Sequence, residues 1–410
     1  MNICLLFGYF PSIIEEKIFN DTKSFLQQSA NVLQKKYIEG LSYHYDKITI
    51  INAPFVGYFP LRYKSIMVPE CCQKIIYNNA TVDTISFSFN TLPFLCHNER
   101  YYKSKKTLKQ WLELHKQEDN IVIVYSVHRP FIKACIELKK MYGFKVIAIV
   151  PDLPQYMNAN PNLVNRIHQF IYKLFENEHS YTQYFNDIDG FIYLTSQMDR
   201  KITELSKPFI VIEGIVSDNN NLFSTNLAHE KYILYTGTMA RKYGIMNLIE
   251  SFKHITHSDY WLYLCGSGDC VEEIKTLESK YKIRYWGELS HQKVVELQQK
   301  ASLLINPRLN DGEYVKYSFP SKIMEYFVSG TPTAMHKLSG IPDEYYEYCY
   351  IFDSDNPYEI AKRIDEILDI SEQERLKKGE QAKEFVLKEK NAKAQCKKVQ
   401  CLINSLFYTR

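Results

Sequence analysis

The chain has 410 residues, 45% of them apolar and 24% charged, and these proportions exclude a wholly disordered or low-complexity protein. The formal net charge of +3 is too small for a protein devoted to binding nucleic acid. No apolar run in the sequence approaches the roughly 18 residues of a transmembrane helix.

In the first half of the chain, short apolar segments alternate with helical patterns. The predicted strands are 3–7, 48–51, 121–125, 146–150 and 190–194, and the predicted helices include 107–115, 130–140 and 161–176. This alternation is typical of a parallel sheet with helices on both faces. It predicts an N-terminal Rossmann-like domain over residues 1–215.

A polar, asparagine-rich stretch over residues 216–230 predicts a linker. The same alternation then returns, with predicted strands at 232–235, 260–265, 283–286, 303–305 and 333–336 and predicted helices at 245–254, 271–281, 291–300 and 320–328. We expect a second Rossmann-like domain over residues 231–385. The charged helical pattern at 371–406 predicts a long terminal helix.

The turn after the strand 232–235 combines a glycine with two cations. In open α/β sheets, ligands bind beyond the carboxyl ends of the strands. Gly237 lets a ligand approach the backbone, and Arg241 and Lys242 favour an anion such as phosphate. The alternative is a solvated basic turn. The next strand ends in Gly266 and Gly268, a lone G-x-G that indicates either the border of a cleft or a simple glycine turn.

The helix predicted at 320–328 carries the strongest pattern. Pro320 suits the first helical position, and Gly330 suits the position just after the helix. The free amides of Ser321 and Lys322, together with the helix dipole and the lysine charge, favour an anion there.

One turn into that helix, Glu325 shares a face with Lys322 and Ser321. A carboxylate in that place can accept hydrogen bonds from a sugar diol. The pattern therefore predicts a nucleoside diphosphate, with its phosphates at the helix end and its ribose on Glu325. A surface ion pair between Lys322 and Glu325 is the alternative.

The run Phe-Pro-Ser-Lys-Ile-Met-Glu-Tyr at 319–326, followed by Ser-Gly-Thr-Pro, resembles the donor-binding signature of glycosyltransferase family 4. The segments 235–252, 266–269 and 285–288 resemble three further elements of that family, so the similarity covers roughly residues 230–385. It implies a retaining enzyme of the GT-B fold class. In that α/β fold, two Rossmann-like domains face each other across a cleft. A C-terminal helix, expected here over residues 386–410, packs back toward the N-terminal domain.

The resemblance also implies a site. The implied donor-binding residues are Gly237, Thr238, Gly266, Gly268, Trp286, Arg308, Tyr317, Ser318, Phe319, Pro320, Ser321, Lys322 and Glu325. The candidate catalytic residues are Asp152, His128, Arg241, Lys242 and Lys322. No metal is expected, because no Asp-x-Asp pair suited to holding a divalent ion on a diphosphate stands out in the sequence. Three positions depart from the family: Tyr317 replaces a glutamate, Thr238 an arginine and Tyr243 a lysine. Glu313 lies near Tyr317 in the sequence, although not at the spacing of the family's glutamate. Arg241 and Lys242 lie between Thr238 and Tyr243 and could supply the missing positive charge from shifted positions.

The N-terminal half is expected to bind the acceptor. His128 and Asp152 follow two predicted strands, and Asp152 could orient an acceptor hydroxyl or accept its proton. The alternatives are a structural histidine and a turn cap. Glu213 ends another strand and either faces the cleft or caps the linker. The aromatic and basic stretches 54–64 and 101–109 would suit an acceptor or a membrane surface, or form a partly buried loop.

These features together predict metal-independent, retaining transfer of a sugar to an acceptor hydroxyl. The donor would be a UDP- or GDP-sugar used as co-substrate, with no cofactor. The acceptor would be a saccharide or polyprenyl-linked saccharide in the assembly of capsule, O-antigen or exopolysaccharide in bacteria. A two-Rossmann nucleotide-sugar epimerase and a non-catalytic nucleotide-sugar-binding subunit are the alternatives.

The ten cysteines form no C-x-x-C pair, which favours reduced thiols in the cytoplasm over disulfides or structural zinc. A peripheral contact with the inner face of the plasma membrane is left open by the aromatic and basic stretches.

Overall fold

The structure, a computed structural model, describes residues 1–23, 27–153, 183–216, 229–278 and 280–408. The chain divides into two units, which are described separately. Unit 1 comprises Met1–Ile215 with Ala392–Arg410, and unit 2 comprises Val216–Asn391. Within the described ranges, no helix is long and apolar enough to span a lipid bilayer.

Unit 1 is built on a sheet in the strand order β10-β9-β8-β7-β1-β2-β5-β4. All neighbouring strands in it are parallel except the edge pair β4–β5, and β3 and β6 form a separate antiparallel ribbon. The strands are β1 Asn2–Phe7, β2 Lys47–Asn52, β3 Met67–Val68, β4 Cys71–Tyr77, β5 Ala80–Ser86, β6 Phe89–Asn90, β7 Asn120–Tyr125, β8 Lys145–Val150, β9 Gly190–Tyr193 and β10 Phe209–Val211. The central strands are mainly apolar because helices cover both faces.

The helices in the first 150 residues of this unit are α1 Ser12–Asp21, α2 Gln28–Leu41, α3 Pro93–Leu114 and α4 Arg129–Tyr142. Helix α4 shows how the sequence sets its limits. Pro130 lies in its first turn, where no amide hydrogen is needed, and Gly143 ends it in the left-handed conformation at φ +72°. The predicted helix 161–176 lies outside the described residues.

Unit 2 has a fully parallel sheet in the order β13-β12-β11-β14-β15-β16. Its strands are β11 Glu230–Thr236, β12 Trp261–Cys265, β13 Ile283–Tyr285, β14 Ala301–Asn306, β15 Thr333–His336 and β16 Tyr350–Phe352. Its helices are α5 Ile245–Phe252, α6 Val271–Glu278, α7 His291–Lys300, α8 Lys322–Ser329, α9 Pro357–Asp369 and α10 Glu372–Glu389. A final helix, α11 Ala392–Tyr408, packs on α2 and so belongs to unit 1.

The prediction of one long terminal helix over residues 371–406 is wrong, because the structure has two helices there. The helical pattern breaks at Lys390–Asn391, where Val216 forms a β-bridge with Asn391 and its amide donates to the Lys390 carbonyl over 2.8 Å. The break lets α10 stay with unit 2 while α11 begins at Ala392, six residues later than the expected start of the returning segment.

The β4–β5 hairpin was not predicted, although the sequence carries a signal for it. Asn78 and Asn79 form the two-residue loop, and both have positive φ, at 47° and 72°. A type I′ hairpin turn needs that conformation at both central residues, and asparagine tolerates it well.

Candidate functional site

The sheet of unit 2 has a topological switch point between β11 and β14. From β11 the chain proceeds to β12 and β13 on one side, and from β14 it proceeds to β15 and β16 on the other. Ligands of open α/β sheets bind in the crevice at such a point, beyond the carboxyl ends of the strands. Gly244 and Pro307 bring the two turns together, since a Cβ on Gly244 would lie 2.0 Å from the Pro307 carbonyl oxygen.

The predicted glycine turns pack backbone against backbone. A Cβ on Gly266 would meet the Gly237 carbonyl oxygen at 1.8 Å, and one on Gly268 would meet the Met239 carbonyl oxygen at 2.3 Å. The Gly237 amide donates to the Cys265 carbonyl over 2.9 Å, and the Met239 amide donates to the Ser267 carbonyl over the same distance. The glycines are thus required by the contact between the two turns, which fixes the floor of the crevice. Thr238 lies in the same turn, where its carbonyl accepts from the Tyr235 hydroxyl at 3.0 Å.

Helix α8 begins two residues later than the sequence predicted. Ser321 is its N-cap, so Pro320 precedes the cap instead of occupying the first helical position. No side chain caps this end, and the amides of Ser321 and Lys322 have no acceptor within the described parts of the chain. These amides stay available for an anion. Gly330 ends the helix at φ +75°, as predicted.

Lys322 and Glu325 form an ion pair. The distance from Nζ to Oε2 is 2.7 Å, and the side chains are 36% and 35% exposed. Lys322 also lies near the end of β12. Burial raises the pKa of the Cys265 thiol, and the Lys322 ammonium partly offsets that rise. The ion pair between Lys322 and Glu325 that the sequence offered as the alternative is formed, and both side chains keep about one-third of their surface exposed.

Tyr326 joins α8 to β11, and sequence reasoning missed it. Its hydroxyl accepts from the Thr236 amide at 2.9 Å and is 3.2 Å from the Thr236 carbonyl oxygen. The side chain is fully buried, and burial raises the pKa of its phenol. No local signal predicts the contact, because the two residues are 90 positions apart in the sequence.

Arg308 is the second residue after β14, at the switch point. It is 7% exposed, and its Nη2 donates to the Ser318 hydroxyl over 2.7 Å. Its guanidinium stands 5.6 Å from the centre of the Tyr243 ring and 5.0 Å from that of the Tyr314 ring. Its buried Nε has no hydrogen-bond acceptor among the described residues, and neither does Nδ2 of Asn306, which ends the strand.

Three other predicted donor-binding residues, Tyr317, Phe319 and Trp286, are aromatic and pack against neighbours within unit 2. Tyr317 is buried, and its hydroxyl donates to Glu313 Oε1 over 3.2 Å, so a carboxylate does lie beside the position of the expected glutamate. Phe319 packs against Tyr345 in the hydrophobic core, with ring centres 5.3 Å apart. Trp286 stacks under Arg284, and its buried indole Nε1 has no acceptor in the part of the chain that the structure describes.

Arg241 and Lys242 lie on the exposed side of the first turn. Arg241 is 66% exposed and pairs with Glu273 at 2.6 Å. Lys242 holds its Nζ 4.9 Å from the centre of the Tyr243 ring. Solvent screens both charges, so they attract an anion weakly compared with a buried cation.

Unit 1 has its own switch point, between β1 and β7. Phe55 lies there, since a Cβ on Gly8 would meet its ring at 2.6 Å. The centre of its ring lies 5.3 Å from the centre of the His128 ring, and the ring centres of His97 and His128 are 5.7 Å apart. His128 Nε2 is buried without a partner among the described residues. Desolvation, with smaller contributions from Arg100 and His97, holds the pKa of His128 well below its ordinary value.

Asp152 follows β8 at the same edge of the sheet. Its side chain is exposed at the surface, yet the surrounding protein desolvates it enough to raise the pKa of the carboxyl to about 6. Burial raises the pKa of Tyr125 at the end of β7, and the charge of Asp152 adds to that rise. Asp152 and His128 therefore both lie at the carboxyl-terminal edge of the unit 1 sheet, after the neighbouring parallel strands β8 and β7. Glu213 is buried, and it belongs to unit 1.

The aromatic stretch 54–64 is largely a packed loop. Tyr63 is fully buried, Phe55 packs among the rings described above, and the Tyr58 hydroxyl bonds to His97 Nε2. Leu61 and Lys64 stay exposed. No group of three or more histidine, cysteine or acidic side chains is placed to hold a metal ion within the ranges that the structure describes.

Comparisons with known proteins agree with this organisation. Residues 218–385, which lie in unit 2 and make up less than half of the chain, match the family model of glycosyl transferases group 1. No curated protein sequence matches the chain.

Solved structures match nearly the whole length of the chain. A trehalose-6-phosphate protein from E. coli bound with UDP-2-fluoro glucose is 12% identical, with a TM-score of 0.61, over 98% of this chain and 99% of that one. The sucrose-phosphate synthase from Thermosynechococcus elongatus is 14% identical, with a TM-score of 0.61, over the full length of both. A UDP-forming α,α-trehalose-phosphate synthase from Burkholderia xenovorans is 11% identical, with a TM-score of 0.60, also over the full length of both. The predicted fold class, GT-B with two Rossmann-like α/β units, is thereby confirmed.

Proposed function

We propose that this protein is a glycosyltransferase that moves a sugar from a nucleoside-diphosphate sugar to a hydroxyl of a saccharide or lipid-linked saccharide. The observation that carries the proposal is the crevice at the β11–β14 switch point of unit 2. Its floor is the packed glycine turns, and helix α8 starts beside it with free amides at Ser321 and Lys322. The match of this unit to glycosyl transferases group 1 supports the same function.

The residues of unit 2 supply binding and charge. The α8 amides and Lys322 hold the diphosphate, since a helix N-terminus and an ammonium both favour negative charge. Glu325, about one-third exposed on the same face, accepts hydrogen bonds from the ribose hydroxyls. When the bond from the sugar to the phosphate breaks, the electron pair stays on the phosphate oxygen, and these groups stabilise the added charge.

At the switch point of unit 1, Asp152 and His128 are proposed to bind the acceptor. Asp152 has a pKa of about 6, so it is mostly ionised at neutral pH and can orient an acceptor hydroxyl. His128 stays neutral, and its Nε2 can exchange a hydrogen bond with a sugar hydroxyl.

The finer features are part of the proposal. The resemblance of residues 319–332 to family 4 supports a retaining reaction without a metal, in which the leaving phosphate receives the acceptor proton, and a role in bacterial surface-polysaccharide assembly in the cytoplasm. UDP- and GDP-sugars are the proposed donors, and the UDP-2-fluoro glucose bound in one structural neighbour favours a UDP-sugar. Exposed Leu61, Ile66 and Met67 beside Lys64 suit a peripheral membrane contact with a lipid-linked acceptor.

The test begins with a thermal-shift screen against UDP, GDP, ADP, CMP and their sugars. A ligand at 100 times its Kd adds about 2.7 kcal/mol of stability. Nucleotide release that depends on added acceptor supports the transferase. Turnover of the sugar without acceptor points to the epimerase, and donor binding without any release points to a non-catalytic subunit. No shift with any nucleotide contradicts the proposal.

A further inference from the structure

Arg308 is a buried cation without a counter-ion. Its side chain is 7% exposed, and among the described residues no carboxylate lies within 4.0 Å of its guanidinium. Its neighbours are the neutral Ser318 hydroxyl and the faces of two tyrosine rings. A buried charge without an opposite charge is expensive to maintain. An anion that enters this place offsets that cost.

The unmet hydrogen-bonding capacity lies at the same point. Within the described ranges, the buried Nε of Arg308 has no acceptor, and two residues earlier Asn306, 6% exposed, has an unpartnered Nδ2. The two residues flank Pro307, whose carbonyl touches Gly244 of the facing turn. Two unpartnered donors at the switch-point crevice are complementary to an oxygen-rich anion.

The other cations near the crevice are at least partly exposed to solvent, and two of them are already paired. Lys242 lies on the exposed side of the first turn, and its ammonium contacts only the Tyr243 ring among the described residues. Lys322 pairs with Glu325 and Arg241 with Glu273, and all four side chains are at least one-third exposed. Their charges are partly neutralised and screened by solvent. Arg308 is less screened, because it lies in a low-dielectric surrounding.

We propose that Arg308 is a diphosphate ligand of the donor, and that it supplies the main cationic stabilisation of the leaving group. This proposal rests on the function proposed above. During transfer, the acceptor oxygen forms a bond to the anomeric carbon while the bond from that carbon to the phosphate oxygen breaks. The electron pair stays on the phosphate, which receives the acceptor proton. The Arg308 guanidinium binds the diphosphate while its charge increases.

The experiment measures binding of UDP, GDP, ADP, the corresponding nucleosides and inorganic pyrophosphate to the wild type and to Arg308→Met. We expect Arg308→Met to weaken nucleoside diphosphate and pyrophosphate binding by about 10- to 100-fold, as for loss of charged hydrogen bonds, and to leave nucleoside binding unchanged. Ligand-free melting should not fall, because a buried unpaired charge is removed. Arg363→Met is the control, since that arginine already pairs with Glu366 at 2.9 Å; it should bind every probe like the wild type.

Two results would overturn the inference alone: unchanged diphosphate binding in Arg308→Met, or an equal loss for nucleosides and diphosphates, which would indicate a structural role. Failure of the wild type to bind any nucleotide would instead remove the proposed function, and the inference with it. Should Arg308→Met fail to fold, Arg308→Lys keeps the charge and loses the planar fork, so it should retain part of the pyrophosphate affinity. Equal pyrophosphate affinity in Arg308→Lys and the wild type would also overturn the inference.

Discussion

The Tyr326 hydroxyl accepts a hydrogen bond from the buried Thr236 amide, which ties helix α8 to the last residue of β11. Gln298 Nε2 donates to the Thr236 hydroxyl over 3.1 Å and extends the network. The end of the strand and the middle of the proposed phosphate-binding helix are therefore held in one arrangement before any ligand arrives. Such preorganisation lowers the free-energy cost of binding.

Replacing Tyr326 with phenylalanine should lower the free energy of unfolding by about 1–3 kcal/mol, because the Thr236 amide then stays buried without an acceptor. Urea denaturation measures the loss. Tyr358→Phe is the control, because Tyr358 is 64% exposed and should tolerate the change. Equal stability of both variants would show that the Tyr326 hydroxyl does not hold the helix.

Gly266→Ala should destabilise unit 2 severely. The new Cβ would lie 1.8 Å from the Gly237 carbonyl oxygen, so the two turns must separate. Gly287→Ala is a matched control, since Gly287 also has positive φ, at 69°, but a Cβ added there would meet no heavy atom of the described residues within 4 Å. The control should lose only the roughly 1–2 kcal/mol of left-handed strain. Thermal melting of both variants, with and without UDP, distinguishes a packing defect from strain alone.

The sequence was informative where a rule is local. Gly330 as a helix end and the glycine turns after β11 and β12 follow from backbone conformation, and the structure has them there. Contacts between distant residues carry no such signal, which is why Tyr326 and the tyrosines beside Arg308 were not predicted. The break at Lys390–Asn391 escaped for a related reason. The sequence around the break suits a continuous helix. The helix ends there because Asn391 forms a β-bridge with Val216, which lies 175 positions earlier in the chain.

Removal of the Glu325 carboxylate should weaken donor binding while it leaves stability nearly unchanged. The ion pair with Lys322 is partly exposed, so it is worth only a few tenths of a kcal/mol. A carboxylate that accepts two ribose hydrogen bonds contributes more, about 1.5–3 kcal/mol for each bond to a charged group. Glu325→Ala should therefore reduce the affinity for a nucleoside diphosphate, and Lys322→Ala should lower turnover.

Glu366→Ala serves as the control for this prediction. Arg363 and Glu366 form an ion pair with the same spacing and similar exposure on α9. Calorimetric titration with the nucleotide found in the screen should detect a loss for Glu325→Ala only. A deoxyribose analogue, which lacks one of the two hydroxyls, should bind the wild type more weakly than the ribose nucleotide does. In Glu325→Ala, the difference in affinity between the two nucleotides should be smaller. Equal losses in Glu325→Ala and Glu366→Ala would contradict the assignment of Glu325.

The pKa of Asp152 predicts a pH-dependent stability. The folded protein holds this proton up to about pH 6, whereas the unfolded chain releases it near the ordinary value of 3.8. Between these values the unfolded state binds fewer protons, so the free energy of unfolding falls as the pH rises. The Asp152→Asn variant has no carboxyl group at this position, so its stability does not include this pH-dependent contribution. Its stability relative to the wild type should therefore increase from about pH 4 to about pH 6 and level off above that range.

Thermal melting of both proteins across that pH range measures the difference, with Asp353→Asn, an exposed aspartate of unit 2, as control. If Asp152 orients the acceptor in its ionised form, transfer by the wild type should also rise through about pH 6, and Asp152→Asn should lose that rise. His128 contributes with the opposite sign. Because its folded pKa lies below that of the unfolded chain, it destabilises the fold as the pH falls below the ordinary histidine value of 6.5. Asp152→Asn should therefore show a steeper acid loss than the wild type, and His128→Asn should flatten it.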